Sequence, residues 1–149
     1  MNRKDRKEVG QSLNKSLLVN DIRQMIEETR SAVATAVNAG LTTLYWHIGK
    51  RILEEILRGE RAEYGQEIVI SLGRELTAEF GRGFEEKNLR RMVQFAEAFP
   101  DEEIVAALRR QLSWTHFKIL IPIEDSLKRE FYAEICRIER WSTRTLQER

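Results

Sequence analysis

Cysteine occurs once in this 149-residue sequence, at Cys136, which excludes an internal disulfide and any cysteine-rich zinc site. Histidine occurs twice, at His47 and His116, without a second His, Cys or carboxylate at ligand spacing, so packing roles and no metal are expected for both. No apolar run approaches the roughly 20 residues needed to span a bilayer, and the amino terminus has no signal-like apolar stretch. A cytoplasmic chain without membrane contact is therefore expected. Neither sign of charge dominates, since 25 basic residues face 24 acidic ones for a formal net charge of +1. That balance argues against a purely electrostatic nucleic-acid coat, yet it permits a binder whose basic residues gather on one face. No segment alternates polar and apolar residues long enough to make a strand.

What remains is helical. A chain of this length buries about two thirds of its unfolded surface and needs neither disulfide nor metal to fold. It fits one domain, or one small domain with a helical arm. Residues 1–16 hold Arg3, Lys4, Arg6, Lys7 and Lys15 against Asp5 and Glu8. They read first as a basic flexible tail and second as a DNA-contacting arm.

From Leu17 the apolar spacing turns helical, through Leu18, Ile22, Met25, Ile26, Thr29, Val33, Ala36 and Val37. The phase continues past Gly40 into Leu44, Ile48, Ile52 and Ile56, predicting one helix over about 17–57. Such a helix would run about 60 Å, more than a small domain covers, so residues 17–58 are expected to dimerise with a second copy. Residues 59–149 form the expected bundle. Gly59 stops the arm, and a second helix follows from about Gly65 with Ile68, Leu72, Leu76 and Phe80 as its buried row. Gly81-Arg82-Gly83-Phe84 makes a tight turn, and a third helix runs from Glu86 to Phe99, stopped by Pro100. Asp101, Ser113, Asp125 and Ser142 are expected to cap four further helices, the fifth ending near Pro122. In the sixth, Leu127, Phe131, Ile135 and Ile138 are expected to face inward. The fold class is all-α.

Two helices joined by a short glycine turn are the ingredients of a helix-turn-helix unit, whose second helix enters the major groove. On the third helix Leu89, Met92, Val93, Ala96 and Phe99 share one side. Lys87, Arg90, Arg91 and Gln94, at i, i+3, i+4 and i+7, share the other, with Asn88 on the flank. Arg forks onto guanine, Asn and Gln pair with adenine, and Lys or Arg neutralises phosphate. Glu85 and Glu86 oppose phosphate at the same helix end, and Glu85 is a poor N-cap. A merely solvated charged face is the alternative. Arg82 in the turn joins the candidate set, with Lys118 and Arg144 as secondary contacts from later helices. Arg109 and Arg110 could act likewise.

The segments YWHIGKRI (45–52), EFGRGFEEKNLRRMVQFAEAFP (79–100), LSWTHFKILIP (112–122) and REFYAEICRIERWSTRTL (129–146) carry a family resemblance. From about Leu17 to Arg149 the chain resembles the amino-terminal domain of the YhcG-like family, bacterial proteins with a PD-(D/E)XK nuclease fold at their carboxyl end. Glu85 stands where that family usually carries Ser. More distantly the stretch resembles the helix-turn-helix domain of ParB-type partition proteins, through Leu112, Ser113 and His116, then Ser142 and Arg144. The resemblance implies double-stranded or branched DNA as a partner, and phosphodiester cleavage by a carboxyl-terminal nuclease domain that this chain lacks.

A PD-(D/E)XK site holds Mg²⁺ with an Asp and a Glu-x-Lys on neighbouring strands. Here Asp101 and the run Glu85-Glu86-Lys87 come in reversed order on predicted helices, a chance match. No catalytic residue and no cofactor are expected in this chain. Cys136 reads as an inert thiol, and Trp46, Trp114 and Trp141 as core or interface anchors. Glu54, Glu55 and Glu134 form no acid-base pair. The rival to DNA binding is an interaction scaffold, in which the long helix holds a partner or the nuclease half.

Overall fold

The computed structural model describes residues 3–59 and 62–149. Seven α-helices and one 3₁₀ turn account for their regular structure, with no strand among the described residues: α1 (Arg3–Arg58), α2 (Ala62–Phe80), the turn Arg82–Phe84, α3 (Glu86–Ala98), α4 (Glu102–Leu108), α5 (Trp114–Leu120), α6 (Ser126–Glu139) and α7 (Thr143–Glu148). The all-α expectation holds. The chain divides into two units, Met1–Val37 and Asn38–Arg149.

The first unit is helical from Arg3. The basic segment expected as a flexible tail is thus part of α1, whose start lies well before residue 17; Met1 and Asn2 of that segment lie outside the described residues. Every described side chain up to Val37 except Gly10 is exposed. The apolar row predicted from the spacing is among them, with Val19 38%, Ile22 46%, Ile26 47% and Val33 56% exposed.

In the second unit α3 is the central helix, supplying both core clusters. Leu89, Met92 and Val93 pack with Ile52 of α1 and Val69 of α2. Phe95 and Phe99 pack with Trp46, Leu112, Phe117, Leu120 and Cys136. Phe95 meets Phe117 at 4.6 Å and Trp114 at 5.4 Å between ring centroids, tilted geometries that suit the ring quadrupoles. Each such buried ring contributes about 1.5–3 kcal/mol.

The carboxyl part of α1 reaches the backbone of α3. A Cβ placed on Gly49 would lie 1.8 Å from the Met92 carbonyl oxygen, so only glycine permits this approach. One turn earlier, Trp46 Nε1 donates a buried 2.8 Å hydrogen bond to the Phe99 carbonyl, satisfying the backbone where Pro100 ends α3. Arg129 of α6 also serves that end, donating to the Ala98 carbonyl at 3.3 Å and to Ile123 at 2.5 Å.

The predicted caps form. Asp101 accepts from Glu103 N, Asp125 from Leu127 N and Lys128 N, and Ser142 from Thr145 N. At α5 the cap is reciprocal, with Ser113 Oγ accepting from His116 N and Ser113 N donating to His116 Nδ1 at 2.9 Å. That bond leaves the ring proton on Nε2, 2.8 Å from the Trp141 carbonyl, so His116 ties α5 to the start of α7.

One row is rotated from its expected position. In α6 Leu127, Phe131 and Ile138 are 57–75% exposed, and the buried residues are Ala133 and Cys136 on the opposite side. Arg129 fixes this rotation by reaching back to Ala98, and the small Ala133 and Cys136 let α6 lie close to the core. In α2 the expected row largely holds, with Leu72 and Leu76 packed on the core, Ile68 half-buried and Val69 buried beside them; Phe80 alone is exposed and stacks edge-on against Phe84. The glycines explain the turn: a Cβ on Gly73 would come 3.0 Å from Glu86 N, and one on Gly65 3.2 Å from Ile56. In α1 Ile52 is buried and Ile48 and Ile56 pack against the core as expected, joined by Trp46 and Gly49, while Leu44 is exposed.

Gly49→Ala is expected to cost about 3 kcal/mol or more, because the added methyl meets backbone that cannot step aside; a denaturant melt measures it. Phe131→Ser is expected to change stability by no more than about 0.5 kcal/mol, whereas Phe117→Ala should cost about 3–5 kcal/mol. Equal losses in the two variants would mean that α6 is rotated the other way.

Candidate nucleic-acid interface

The candidate surface begins at the turn between α2 and α3. Gly81 sits at φ 97° and ψ −168°, a region open essentially to glycine alone, and it reverses the chain into the 3₁₀ turn. Glu85 then starts α3 in extended conformation with no side-chain cap bond. The poor capping read from the sequence is thus real. Asn88 compensates in part by donating to the Arg82 carbonyl at 3.4 Å, pinning the turn to the first helical turn.

Burial of Leu89, Met92, Val93, Phe95 and Ala96 sets which side of α3 faces solvent. Lys87, Arg90 and Gln94 are exposed on that side, Arg91 is half-buried beside them, and Arg82 is exposed in the turn. The guanidinium of Arg90 folds onto Glu86, with Nη2 at 2.6 Å and Nε at 3.0 Å from Oε1. Both partners are substantially exposed, so the pair is weak and open to exchange for another anion. Arg90, Gln94 and Glu97 form one wall of an open groove, opposite Ile56, Gly65 and Gln66. Asn88, half-buried and bonded to the turn, is less available than the sequence suggested.

The secondary candidates lie on other helices. Lys118 is half-buried on α5. Arg144 on α7 is exposed and 3.4 Å from Glu148. Arg109 is committed to the fold, donating to the Thr43 hydroxyl, while Arg110 is exposed.

The remaining ionisable candidates have structural partners. His47 is exposed, 3.1 Å from Glu102, with its ring edge-on to Trp46 at 5.1 Å between centroids. Asp101 is spent as a cap, and Glu86 on Arg90. Glu55 is held below the usual carboxylate range, first by the hydrogen bond from Arg51 and then by that from Tyr64. Glu134 bonds Arg137 at 2.7 Å. Cys136 is buried, and burial pushes its thiol up, away from the reactive thiolate. No group of three or more His, Cys, Asp or Glu residues among those described could hold a metal ion. No described helix is long and apolar enough to cross a membrane.

Residues 21–149 match the family described as the DUF1016 N-terminal domain. Over 93 residues, 62% of this chain, the sequence is 36% identical to an Escherichia coli (strain K12) protein described as "Putative nuclease YhcG". The matching stretch covers 25% of that relative, so the likeness concerns about a quarter of its length. No solved structure matches. With the match running from α1 to the final residue, this chain belongs to the DUF1016 N-terminal domain family.

Proposed function

We propose that this domain is the DNA-holding, self-associating and non-catalytic part of a nuclease of the YhcG kind. In this reading α2, the glycine turn and α3 act as a helix-turn-helix unit, and α3 lies in the major groove of double-stranded DNA. The observation that carries it is the two-sidedness of α3. One side is locked into both core clusters, while Lys87, Arg90 and Gln94 stand outward at helical spacing. A helix held rigidly from behind can present donors to base edges without paying to order them. The name of the relative as a nuclease supports nucleic acid as the partner. Catalysis then belongs to the parent protein's carboxyl-terminal domain, and this chain needs no cofactor of its own.

Self-association is assigned to the first unit. Val19, Ile22, Ile26 and Val33 recur at steps of three, four and seven residues, compatible with a coiled-coil seam, and a lone helix leaves them in water. A scaffold role without DNA contact has one observation in its favour, the exposed row Leu127, Phe131 and Ile138 on α6.

Replacing Arg90 and Arg91 together with Ala is expected to weaken duplex binding about tenfold or more and to lower the salt slope by about 1–2. Fluorescence anisotropy across several salt concentrations measures both. An unaltered isotherm would favour the scaffold reading, which Phe131→Ser should then impair. Ile22→Glu with Ile26→Glu is expected to convert a dimer to monomers in sedimentation equilibrium while leaving helical content intact. A species of unchanged mass would remove α1 from the interface.

A further inference from the structure

The charge of this chain is unevenly placed. Residues 1–16 carry five basic and two acidic side chains, leaving 20 basic and 22 acidic residues over 17–149. Residues 17–37 hold two of these basic and three of these acidic residues, so the unit that holds α3 has 18 basic against 19 acidic side chains and almost no net charge, and acids crowd the proposed groove-reading face. Glu86 occupies Arg90, Glu97 lines the same groove, and Glu85 stands at the helix start. A surface so balanced offers hydrogen-bond donors to bases but releases few counterions, and counterion release supplies most of the affinity for a duplex. The cations that would supply it lie elsewhere in the chain.

We infer that the first turns of α1 form a second, sequence-independent nucleic-acid contact, in which Arg3, Arg6 and Lys7, with Lys4 on their flank, engage duplex phosphates. This rests on the preceding assignment of DNA as the partner. Two structural observations carry it beyond the sequence. The segment is a helix rather than a tail, so its cations are ordered in space. They are also exposed, and not consumed in the core. At 3.6 residues per turn, Arg3, Arg6 and Lys7 stand at i, i+3 and i+4 on one side of the helix. A one-sided cationic strip about one turn long matches a run of adjacent phosphates, and it costs little ordering because the helix already exists. Pairing of two chains through α1 would double the strip.

The test uses the full chain with Arg3, Lys4, Arg6, Lys7 and Lys15 all changed to Gln, beside the Arg90→Ala/Arg91→Ala variant. For the Gln variant, duplex affinity in low salt is expected to fall at least about tenfold, and the slope of log K against log salt by about 3, for three or four lost phosphate contacts. Any residual preference between duplex sequences should survive, because the bases are read elsewhere. A charge-retaining variant that exchanges Arg and Lys at these five positions should bind like the parent, as phosphate contact demands charge rather than shape. If the Gln variant binds with parental affinity and slope while the α3 variant fails, the second contact is wrong and the α3 assignment stands. If the parent chain binds no duplex, both fall. Vesicles of phosphatidylserine and phosphatidylcholine provide the other arm. Vesicle binding that the Gln substitutions abolish, with duplex binding untouched, would assign the strip to anionic lipid and overturn the inference.

Discussion

Helix α3 has a defined outer face because α1 closes on its backbone at Gly49. That contact leaves no room for even one carbon between the helix and the Met92 carbonyl. Backbone-to-backbone approach of this kind fixes rotation about the helix axis more firmly than interdigitating side chains, which have alternative rotamers. The Trp46 bond to the Phe99 carbonyl sets the axial position at the other end. With rotation and height both fixed, Leu89, Met92, Val93 and Phe95 have one place to go. Lys87, Arg90 and Gln94 are left outside by exclusion.

The turn before α3 is organised by the same constraint. Gly73 allows α2 to touch the start of α3, and Gly81 adopts a backbone conformation that brings the chain round in few residues. The cost is a weakly capped helix start, since Glu85 makes no cap bond. Asn88 and the pair of Glu86 with Arg90 restrain the first turn instead. A side chain proposed to read DNA is thus also a local restraint, and binding would exchange the Glu86 contact for an external one. Exposed ion pairs are worth little, so the exchange is energetically open.

Two apolar surfaces are left without cover by this packing. The row on α1 falls where a coiled-coil seam would, and the row on α6 faces away from the core that Ala133 and Cys136 enter. The first belongs with the proposed self-association, and the second is the one feature that favours a scaffold role. Among the charged surfaces, the basic beginning of α1 contrasts with a nearly neutral remainder. Affinity and readout would then reside in separate helices, a division that lets each be tuned without disturbing the other.

The sequence by itself determined the helical class, the caps at Asp101, Ser113, Asp125 and Ser142, the stop at Pro100 and the two-sided pattern of α3. Each depends on residues within one or two turns of each other, where hydrogen bonding and periodicity act locally. It also carried the family, through motifs spread along most of the chain. It placed Leu127, Phe131, Ile135 and Ile138 on the inner side of α6, where only Ile135 is even half-buried. The close approach allowed by Ala133 and the reach of Arg129 to Ala98 oriented the helix the other way. Nor could it foresee that residues 3–16 continue α1, or that His47 is exposed beside Glu102 while His116 caps α5. Those outcomes depend on contacts between residues distant along the chain, or on extension of a helix through a segment without a core-facing row. Only the tertiary structure decides them.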